Sequence, residues 1–175
     1  MEFLTILNIK VKKVKILDKI QLQQKVNRLA WQIFERNYTE NEIVIVGIEK
    51  RGVELSLRIS QVLQNISNMK IINANVSLNK DNPHNSKIIC NLSSIEIKDK
   101  VVILVDDVLN SGKTLMYAVS EFLSVPLINL STLVLINRNH NRYPIKADFE
   151  GMSLSTTLNE HINVVFGKEE GVYLS

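Results

Sequence analysis

The chain has 175 residues, 45% of them hydrophobic and 22% charged, with a formal net charge of +3. This composition is typical of one globular domain, and no apolar run approaches the roughly 20 residues that a membrane-spanning helix needs. The small net charge does not by itself indicate a nucleic-acid partner, and a single cysteine, Cys90, excludes an internal disulfide. We therefore expect one cytoplasmic domain over residues 1–175, with residues 1–14 as an extension that lacks the features of a secretory signal.

Helix and strand patterns alternate along the chain. Amphipathic helices carry apolar residues three or four positions apart, whereas parallel strands buried on both faces are apolar throughout. The predicted elements, in chain order, are a helix over 18–34 with Asp18 as its N-cap, a strand over 43–48, a helix over 52–63, strands over 70–78 and 87–92, a strand over 101–105, a helix over 115–123 and a strand over 131–137. A polar stretch, 79–87, predicts a loop. This alternation indicates an α/β fold in which helices flank a mostly parallel sheet.

The most informative segment runs from Val101 to Thr114. Five β-formers end in two adjacent carboxylates, Asp106 and Asp107, and a short polar loop leads into the next helix. Open α/β folds bind ligands at the carboxyl edge of the sheet, and a helix N-terminus favours a phosphate. The acids suit sugar hydroxyls or a metal-bound water, and the loop suits a phosphate. A ribose 5-phosphate has this layout; the alternative, a polar turn without a ligand, is disfavoured by the particular order of side chains.

This segment resembles the phosphoribosyl-pyrophosphate (PRPP) motif of the type I phosphoribosyltransferases. The resemblance implies that Asp106 and Asp107 hold the ribose hydroxyls and, indirectly through those hydroxyls or water, a magnesium ion. It implies that the 5-phosphate binds six residues: Leu109, Asn110, Ser111, Gly112, Lys113 and Thr114.

Residues 44–53 resemble the family's pyrophosphate loop. The residues concerned are Glu49, Lys50, Arg51 and Gly52. Backbone N–H groups and cations there are expected to stabilise the pyrophosphate leaving group as it gains charge. The candidate catalytic residues are thus Asp106, Asp107, Lys50 and Arg51. The alternative for this segment is an exposed basic turn.

The stretch 135–151 resembles one subfamily, the pyrimidine operon attenuator and uracil phosphoribosyltransferase (PyrR-like) proteins. The overall likeness extends from about residue 15 to the C-terminus and implies dimers or larger assemblies. Independently of this likeness, Trp31 in the first helix is expected to pack either in the core or at a subunit contact. The likeness places Val108, Asn137 and Arg138 beside the nucleobase; the alternative for Arg138 is a surface salt bridge. It also places Lys80 and Asp81 in a flexible hood loop that excludes water from the site. The alternative for this loop, an ordinary surface hairpin tip, has equal support from the sequence.

Departures from the family pattern bear on the choice of base. Asn110 stands where purine-specific relatives carry an aspartate, and because an amide cannot act as a general base this favours a pyrimidine. Asn137 replaces an acid, and Lys80 replaces an arginine, with loss of the bidentate fork. Asn139 replaces a glycine, which suggests a left-handed backbone conformation that Asn tolerates.

Two functional hypotheses follow. In the first, the protein transfers the 5-phosphoribosyl group of PRPP to a nucleobase, with uracil favoured, by displacement at the anomeric carbon through an oxocarbenium-like state. In the second, it is an RNA-binding regulator of pyrimidine genes that senses PRPP or nucleotide. Lys10, Lys12, Lys13 and Lys15 would then be candidate phosphate contacts, although they equally fit a solvated face. A P-loop hydrolase is disfavoured because Gly112 has no partner glycine five residues earlier.

Overall fold

The computed structural model of the protein describes residues 13–79, 88–157 and 160–175. Its elements, in chain order, are β1 (Val14–Leu17), α1 (Lys19–Arg36), β2 (Glu42–Ile48), α2 (Glu49–Ile66), β3 (Lys70–Ser77), β4 (Ile89–Cys90), α3 (Ser94–Ile97), β5 (Val101–Leu109), α4 (Lys113–Phe122), β6 (Asn129–Asn137), β7 (Phe149–Ser153), β8 (Ile162–Val165) and β9 (Gly171–Leu174). No helix within these described ranges has the length and apolar character required to span a membrane.

The central sheet has six strands in the order β4-β3-β2-β5-β6-β7. All neighbouring pairs are parallel except β3 and β4, which are antiparallel. A second, antiparallel sheet has the order β1-β9-β8 and pairs Val14 with Leu174, so that opposite ends of the described chain lie side by side. The mostly parallel sheet predicted from the sequence is therefore confirmed.

The apolar strands β2 and β5 explain why the sheet lies between two helical layers. Alternate side chains of a strand point to opposite faces. Ile43 and Ile45 join the core cluster that includes the buried faces of α1 and α2. Val44 and Val46 join a second cluster with α4, whose Phe122 is fully buried. The sequence predicted helices on both faces of the sheet, and the structure has helices on both faces.

Local chemistry sets the start of α1. Asp18 accepts a hydrogen bond from the backbone N–H of Gln21 at 2.8 Å, and the Gln21 side chain accepts one from the N–H of Asp18 at 3.0 Å. These reciprocal bonds form a capping box, which satisfies two N–H groups that a helix start would otherwise leave unpaired. The predicted N-cap is confirmed.

Three predicted boundaries are wrong, and two of them lie next to the edge of the sheet where a ligand is predicted. The strand predicted over 101–105 continues to Leu109, because β6 keeps pairing with it as far as Leu109 opposite Asn137. The helix predicted from Gly52 begins at Glu49, directly after β2. Gly52 permits this start, because a Cβ there would lie 2.5 Å from the carbonyl oxygen of Val105. The returning strand predicted over 87–92 shortens to Ile89–Cys90.

Candidate functional site

Three strands of the sheet end at the same edge. β2, β5 and β6 are parallel neighbours, so the segments that follow Ile48, Leu109 and Asn137 meet there. These segments are the predicted pyrophosphate loop, the predicted phosphate loop and the segment predicted beside the nucleobase. The fold therefore brings together groups that lie far apart in the sequence, at the edge where parallel sheets bind ligands.

Two carboxylates lie inside the last part of β5. Asp106 is 4% exposed and Asp107 is 5% exposed. The backbone N–H of Asp107 donates to Asp106 Oδ1 at 3.0 Å, and Arg51 Nη1 lies 3.6 Å from Asp107 Oδ2. Buried carboxylates are costly unless they are paired or hydrogen-bonded, and ligand sites are where such groups concentrate. The ion pair also connects the acids directly to the predicted pyrophosphate loop.

A cavity of about 120 Å³ opens beside Asp106 at the start of α4. Its lining consists of Asp106, Val108, Leu109, Asn110, Ser111, Gly112, Lys113, Thr114, Leu115 and Val134. All six residues predicted to hold the 5-phosphate therefore line one cavity, together with Val108 from the predicted base site. The first turn of a helix leaves backbone N–H groups without helical partners, which suits an anion.

Gly112 gives this loop its shape. It is the N-cap of α4 and has φ 81°, in the left-handed region. A Cβ at this position would lie 2.6 Å from Ile145 Cγ2. Ser111 fixes the loop on its other side, because its carbonyl accepts the backbone N–H groups of Arg142 and Tyr143 at 2.8 and 3.1 Å. The segment after β6 thus packs directly on the candidate phosphate loop.

The predicted pyrophosphate loop forms a sharp junction between β2 and α2. Glu49 has φ 56°, unusual for a residue other than glycine, and its Oε1 accepts the backbone N–H of Leu78 at 2.8 Å. Lys50 and Arg51 are exposed, and Gly52 is buried against β5. The junction therefore presents two cations to solvent beside the buried acids, which is the charge pattern that a pyrophosphate requires. The predicted hood residues Lys80 and Asp81 lie outside the described residues.

The segment after β6 carries the residues predicted beside the base. The Asn137 amide donates through Nδ2 to Glu150 Oε2 at 2.7 Å and accepts the backbone N–H of Asn139 through Oδ1 at 3.0 Å. Asn139 has φ 57°, so the left-handed conformation suggested by its replacement of a glycine is confirmed. His140 is half-buried, and its Nε2 lies 2.6 Å from the carbonyl oxygen of Thr156.

Arg138 is buried, with 3% of its surface exposed. Its Nε donates to Thr156 Oγ1 at 2.9 Å, and its Nη1 donates to Asn110 Oδ1 at 3.2 Å. Its Nη2 donates to the carbonyl oxygens of Thr157 at 3.0 Å and Glu160 at 2.7 Å. The alternative of a surface salt bridge is wrong. The sequence did not predict Thr156, Thr157 and Glu160 as partners of Arg138, because nothing near them in the chain marks them as hydrogen-bond acceptors for a distant arginine.

Residues 14–170 match the phosphoribosyl transferase domain family. The chain belongs to the type I phosphoribosyltransferase family. It is 37% identical over 161 residues to the bifunctional protein PyrR of Clostridium acetobutylicum, a match that covers 87% of this chain and 89% of the relative. It is 33% identical over 159 residues to the bifunctional protein PyrR of Pediococcus pentosaceus, covering 86% of this chain and 90% of the relative. The PyrR-like resemblance is thereby confirmed.

Solved phosphoribosyltransferase structures share the fold. The hypoxanthine phosphoribosyltransferase of Trypanosoma cruzi has a TM-score of 0.72 at 15% identity, covering 85% of this chain and 83% of that chain. A hypoxanthine phosphoribosyltransferase from Staphylococcus aureus has a TM-score of 0.71 at 18% identity, covering 83% of this chain and 80% of that chain. At these identities the likeness confirms the type I phosphoribosyltransferase fold.

The residues present fit the magnesium ion with which the phosphoribosyltransferase family generally binds PRPP. The described residues contain no group of three or more His, Cys, Asp or Glu arranged around one metal position. Asp106 and Asp107 are buried and offer hard carboxylate oxygens just before the predicted phosphate loop. Magnesium usually keeps several waters and takes one or two carboxylates plus substrate oxygens, so a pair of acids is sufficient.

Proposed function

We propose that this protein transfers the 5-phosphoribosyl group of PRPP to uracil, giving UMP and pyrophosphate. The observation that carries the proposal is the continuity of the site. The buried Asp106 lines the cavity formed with 109–114, its neighbour Asp107 is buried beside it, and Arg51 reaches Asp107 from the junction between β2 and α2. A diol, a 5-phosphate and a pyrophosphate therefore each have a chemically matched group within one site.

The proposed roles follow from charge and hydrogen-bonding capacity. Asp106 and Asp107 accept hydrogen bonds from the ribose hydroxyls. The loop 109–114 binds the 5-phosphate through backbone N–H groups and side-chain hydroxyls. Lys50 and Arg51 neutralise the pyrophosphate as the C1–O bond breaks and the oxygen keeps the bonding electrons. The C1–N bond forms with N1 of uracil, and the N1 proton passes to solvent.

Magnesium is the proposed cofactor. It would be held near Asp106 and Asp107 through ribose hydroxyls or water, and it would supply positive charge to the pyrophosphate oxygens. The protein residues would orient the sugar and keep its anomeric carbon facing the base.

Uracil is favoured over a purine by the chemistry of Asn110. The amide of Asn110 cannot act as a general base towards a purine ring nitrogen. Val108 and Asn137 are the proposed neighbours of the base, and Arg138 borders that site from the protein interior. The likeness to PyrR-like proteins supports the same choice.

Pyrophosphate release from PRPP and magnesium tests this function. Uracil, hypoxanthine, guanine, xanthine and orotate would be supplied one at a time, with the Asp106→Asn/Asp107→Asn variant as the control. We expect turnover with uracil by the wild type and none by the control. Turnover with a purine alone would overturn the pyrimidine assignment, and PRPP binding without turnover on any base would favour a regulator.

A second candidate function is RNA-dependent regulation of pyrimidine genes. Within the described residues, Lys13 Nζ lies 4.2 Å and Lys15 Nζ lies 5.7 Å from the centre of the Tyr173 ring. Both lysines are exposed and could contact the phosphates of RNA; Lys10 and Lys12 lie outside the described residues. Binding to the leader RNA of its own operon should weaken steeply with salt if this function holds. Salt-independent or absent binding would count against it.

We also propose a homodimer or a larger homo-oligomer. Trp31 is 48% exposed on α1, so it is not a core residue, and its ring makes an edge contact with Phe34. A large exposed aromatic residue on a helix suits a subunit contact. Light scattering should give a mass above that of one chain for the wild type and a lower mass for Trp31→Glu.

A further inference from the structure

The buried guanidinium of Arg138 has little freedom to meet a ligand itself. A guanidinium carries five N–H donors, and four of those of Arg138 are used in the bonds to Asn110, Thr156, Thr157 and Glu160. Turning this group towards a substrate would break several of these bonds in a place that water does not reach. Arg138 therefore influences the site through the residues that accept its hydrogen bonds.

Among the acceptors of Arg138, the Asn110 side chain is the one that lines the cavity. Arginine can only donate, so the Asn110 oxygen must face the guanidinium and the NH₂ group must face elsewhere. The side chain of Asn110 is exposed, so its NH₂ group is available to a ligand in the cavity. The orientation of an amide is otherwise ambiguous, because exchanging its oxygen and nitrogen changes the shape of the residue very little. Here one buried partner resolves it.

We propose that Arg138 is a positioning residue that fixes the Asn110 amide as a hydrogen-bond donor towards the ligand. The inference rests on the proposed phosphoribosyl transfer at this site and adds a determinant of specificity to it. The matching group is an acceptor oxygen, either on the 5-phosphate of PRPP or on the base as a carbonyl. A base that turns an amino group towards Asn110 meets donor against donor and is rejected.

The same bonds give Arg138 a second positioning task. Its Nε and Nη2 hold Thr156, Thr157 and Glu160, whereas its Nη1 holds the predicted phosphate loop at Asn110. One guanidinium therefore joins the predicted phosphate site to the segment that also contacts His140 through Thr156. Lysine preserves the charge but has no planar fork, so it cannot keep all of these acceptors in place.

The decisive substitutions remove the Asn110 NH₂ donor without changing a core residue. Asn110→Ala removes the amide, and Asn110→Asp keeps an oxygen for Arg138 but removes the donor. We expect each to weaken ligand binding by about tenfold or more, the usual effect of losing a hydrogen bond to a charged or buried acceptor. A rise in the Kd for PRPP, measured calorimetrically with magnesium, assigns the acceptor to the phosphate. A rise confined to the KM for uracil assigns it to the base.

Asn65→Asp is the matched control, because Asn65 is exposed on α2 and the substitution makes the same change in charge. It should leave both constants unchanged. Comparable losses in Asn65→Asp and Asn110→Asp would overturn the proposal, since net charge would then explain them. Unchanged constants in Asn110→Ala would overturn it as well.

A double-mutant cycle tests whether Arg138 acts through Asn110. We expect Arg138→Gln to weaken binding of the same ligand as Asn110→Ala, and the double variant to be little worse than either single variant, because both remove one oriented donor. Arg138→Lys should not restore the affinity. Additive losses would mean that Arg138 contacts the ligand independently and would overturn the proposal. Should Arg138→Gln not fold, as judged by thermal melting, the Asn110 variants still decide the donor assignment.

Failure of this inference is distinguishable from failure of the proposed function. The wild type alone tests PRPP binding and turnover, before any variant is made. If the wild type binds PRPP and turns over a base while the Asn110 variants behave normally, only the inference falls. If the wild type neither binds PRPP nor releases pyrophosphate, both fall together.

Discussion

Arg51 and Asp107 join two segments that are more than fifty residues apart, with Arg51 Nη1 3.6 Å from Asp107 Oδ2. Arg51 belongs to the junction between β2 and α2, whereas Asp107 is buried in β5. The Arg51 side chain is 50% exposed, so it can neutralise the buried carboxylate of Asp107 and still contact an anion from solvent. The pair therefore supports a site in which the acids proposed to bind the ribose hydroxyls act together with the proposed pyrophosphate loop.

Arg51→Ala should lower kcat for pyrophosphate release by about 10²-fold, because a cation at the developing charge of the leaving group is lost. Arg51→Lys should recover part of this loss, since it keeps the charge without the fork. Steady-state kinetics with PRPP and uracil measure both variants. Arg28→Ala is the control, because Arg28 is exposed on α1. Full activity in Arg51→Ala would remove Arg51 from the proposed pyrophosphate site.

Gly112→Ala should destabilise the protein and weaken PRPP binding. The new Cβ combines a left-handed backbone, with φ 81°, and a 2.6 Å approach to Ile145 Cγ2. We expect a loss of about 1–3 kcal/mol in the free energy of unfolding, measured by urea titration. Gly167→Ala isolates the backbone contribution, because Gly167 has φ 109° and a Cβ there meets nothing within 4 Å. If Ile145→Ala in the Gly112→Ala background restores none of the excess loss, the proposed clash is not its cause.

Asn139 tests the value of a left-handed asparagine. Its backbone has φ 57°, and its Nδ2 donates to Ser153 Oγ at 2.7 Å. Asn139→Gly loses the side-chain bond but keeps the conformation, whereas Asn139→Ala loses the bond and strains the backbone. We expect Asn139→Ala to be less stable than Asn139→Gly by about 1 kcal/mol in chemical denaturation. Equal stabilities would mean that the backbone relaxes away from this conformation.

Glu42 should make stability depend on acid pH. Hydrogen bonds from Lys100 and then from Lys70 lower the pKa of the Glu42 carboxyl below its ordinary value of 4.5. A lowered folded-state pKa stabilises the protein above pH 4.5, and this stabilisation is lost as the pH falls from there through the folded-state pKa. Urea unfolding of wild type and Glu42→Gln at several pH values should show a gap near neutral pH that closes in acid. A gap that is independent of pH would exclude Glu42 as its source.

The strands and helices that the sequence predicts correctly have strong local signals. β2 and β5 are nearly uninterrupted apolar runs, which buried parallel strands require, and Asp18 caps α1 with bonds made entirely within its own first turn. These features depend on neighbours along the chain. The order of strands and helices also determines which residues lie at the carboxyl edge of the sheet. The grouping of Asp106, Asp107 and 109–114 at that edge was therefore predictable.

The missed features depend on contacts between distant segments. β8 and β9 have four residues each; they pair with one another, and β9 also pairs with β1. α2 begins at Glu49 without a side-chain cap, because the close packing of Gly52 on β5 positions it instead. The burial of Arg138 likewise depends on acceptors about twenty positions further along. None of these contacts has a local pattern in the sequence.

The pairing of β1 with β9 has a consequence for how the protein is made. Val14 leaves the ribosome 160 residues before its partner Leu174. Leu17 in β1 and Val172 in β9 both belong to the core cluster beneath the central sheet. That core cannot be completed before β9 has been synthesised, so the nascent protein must carry exposed apolar surface until then.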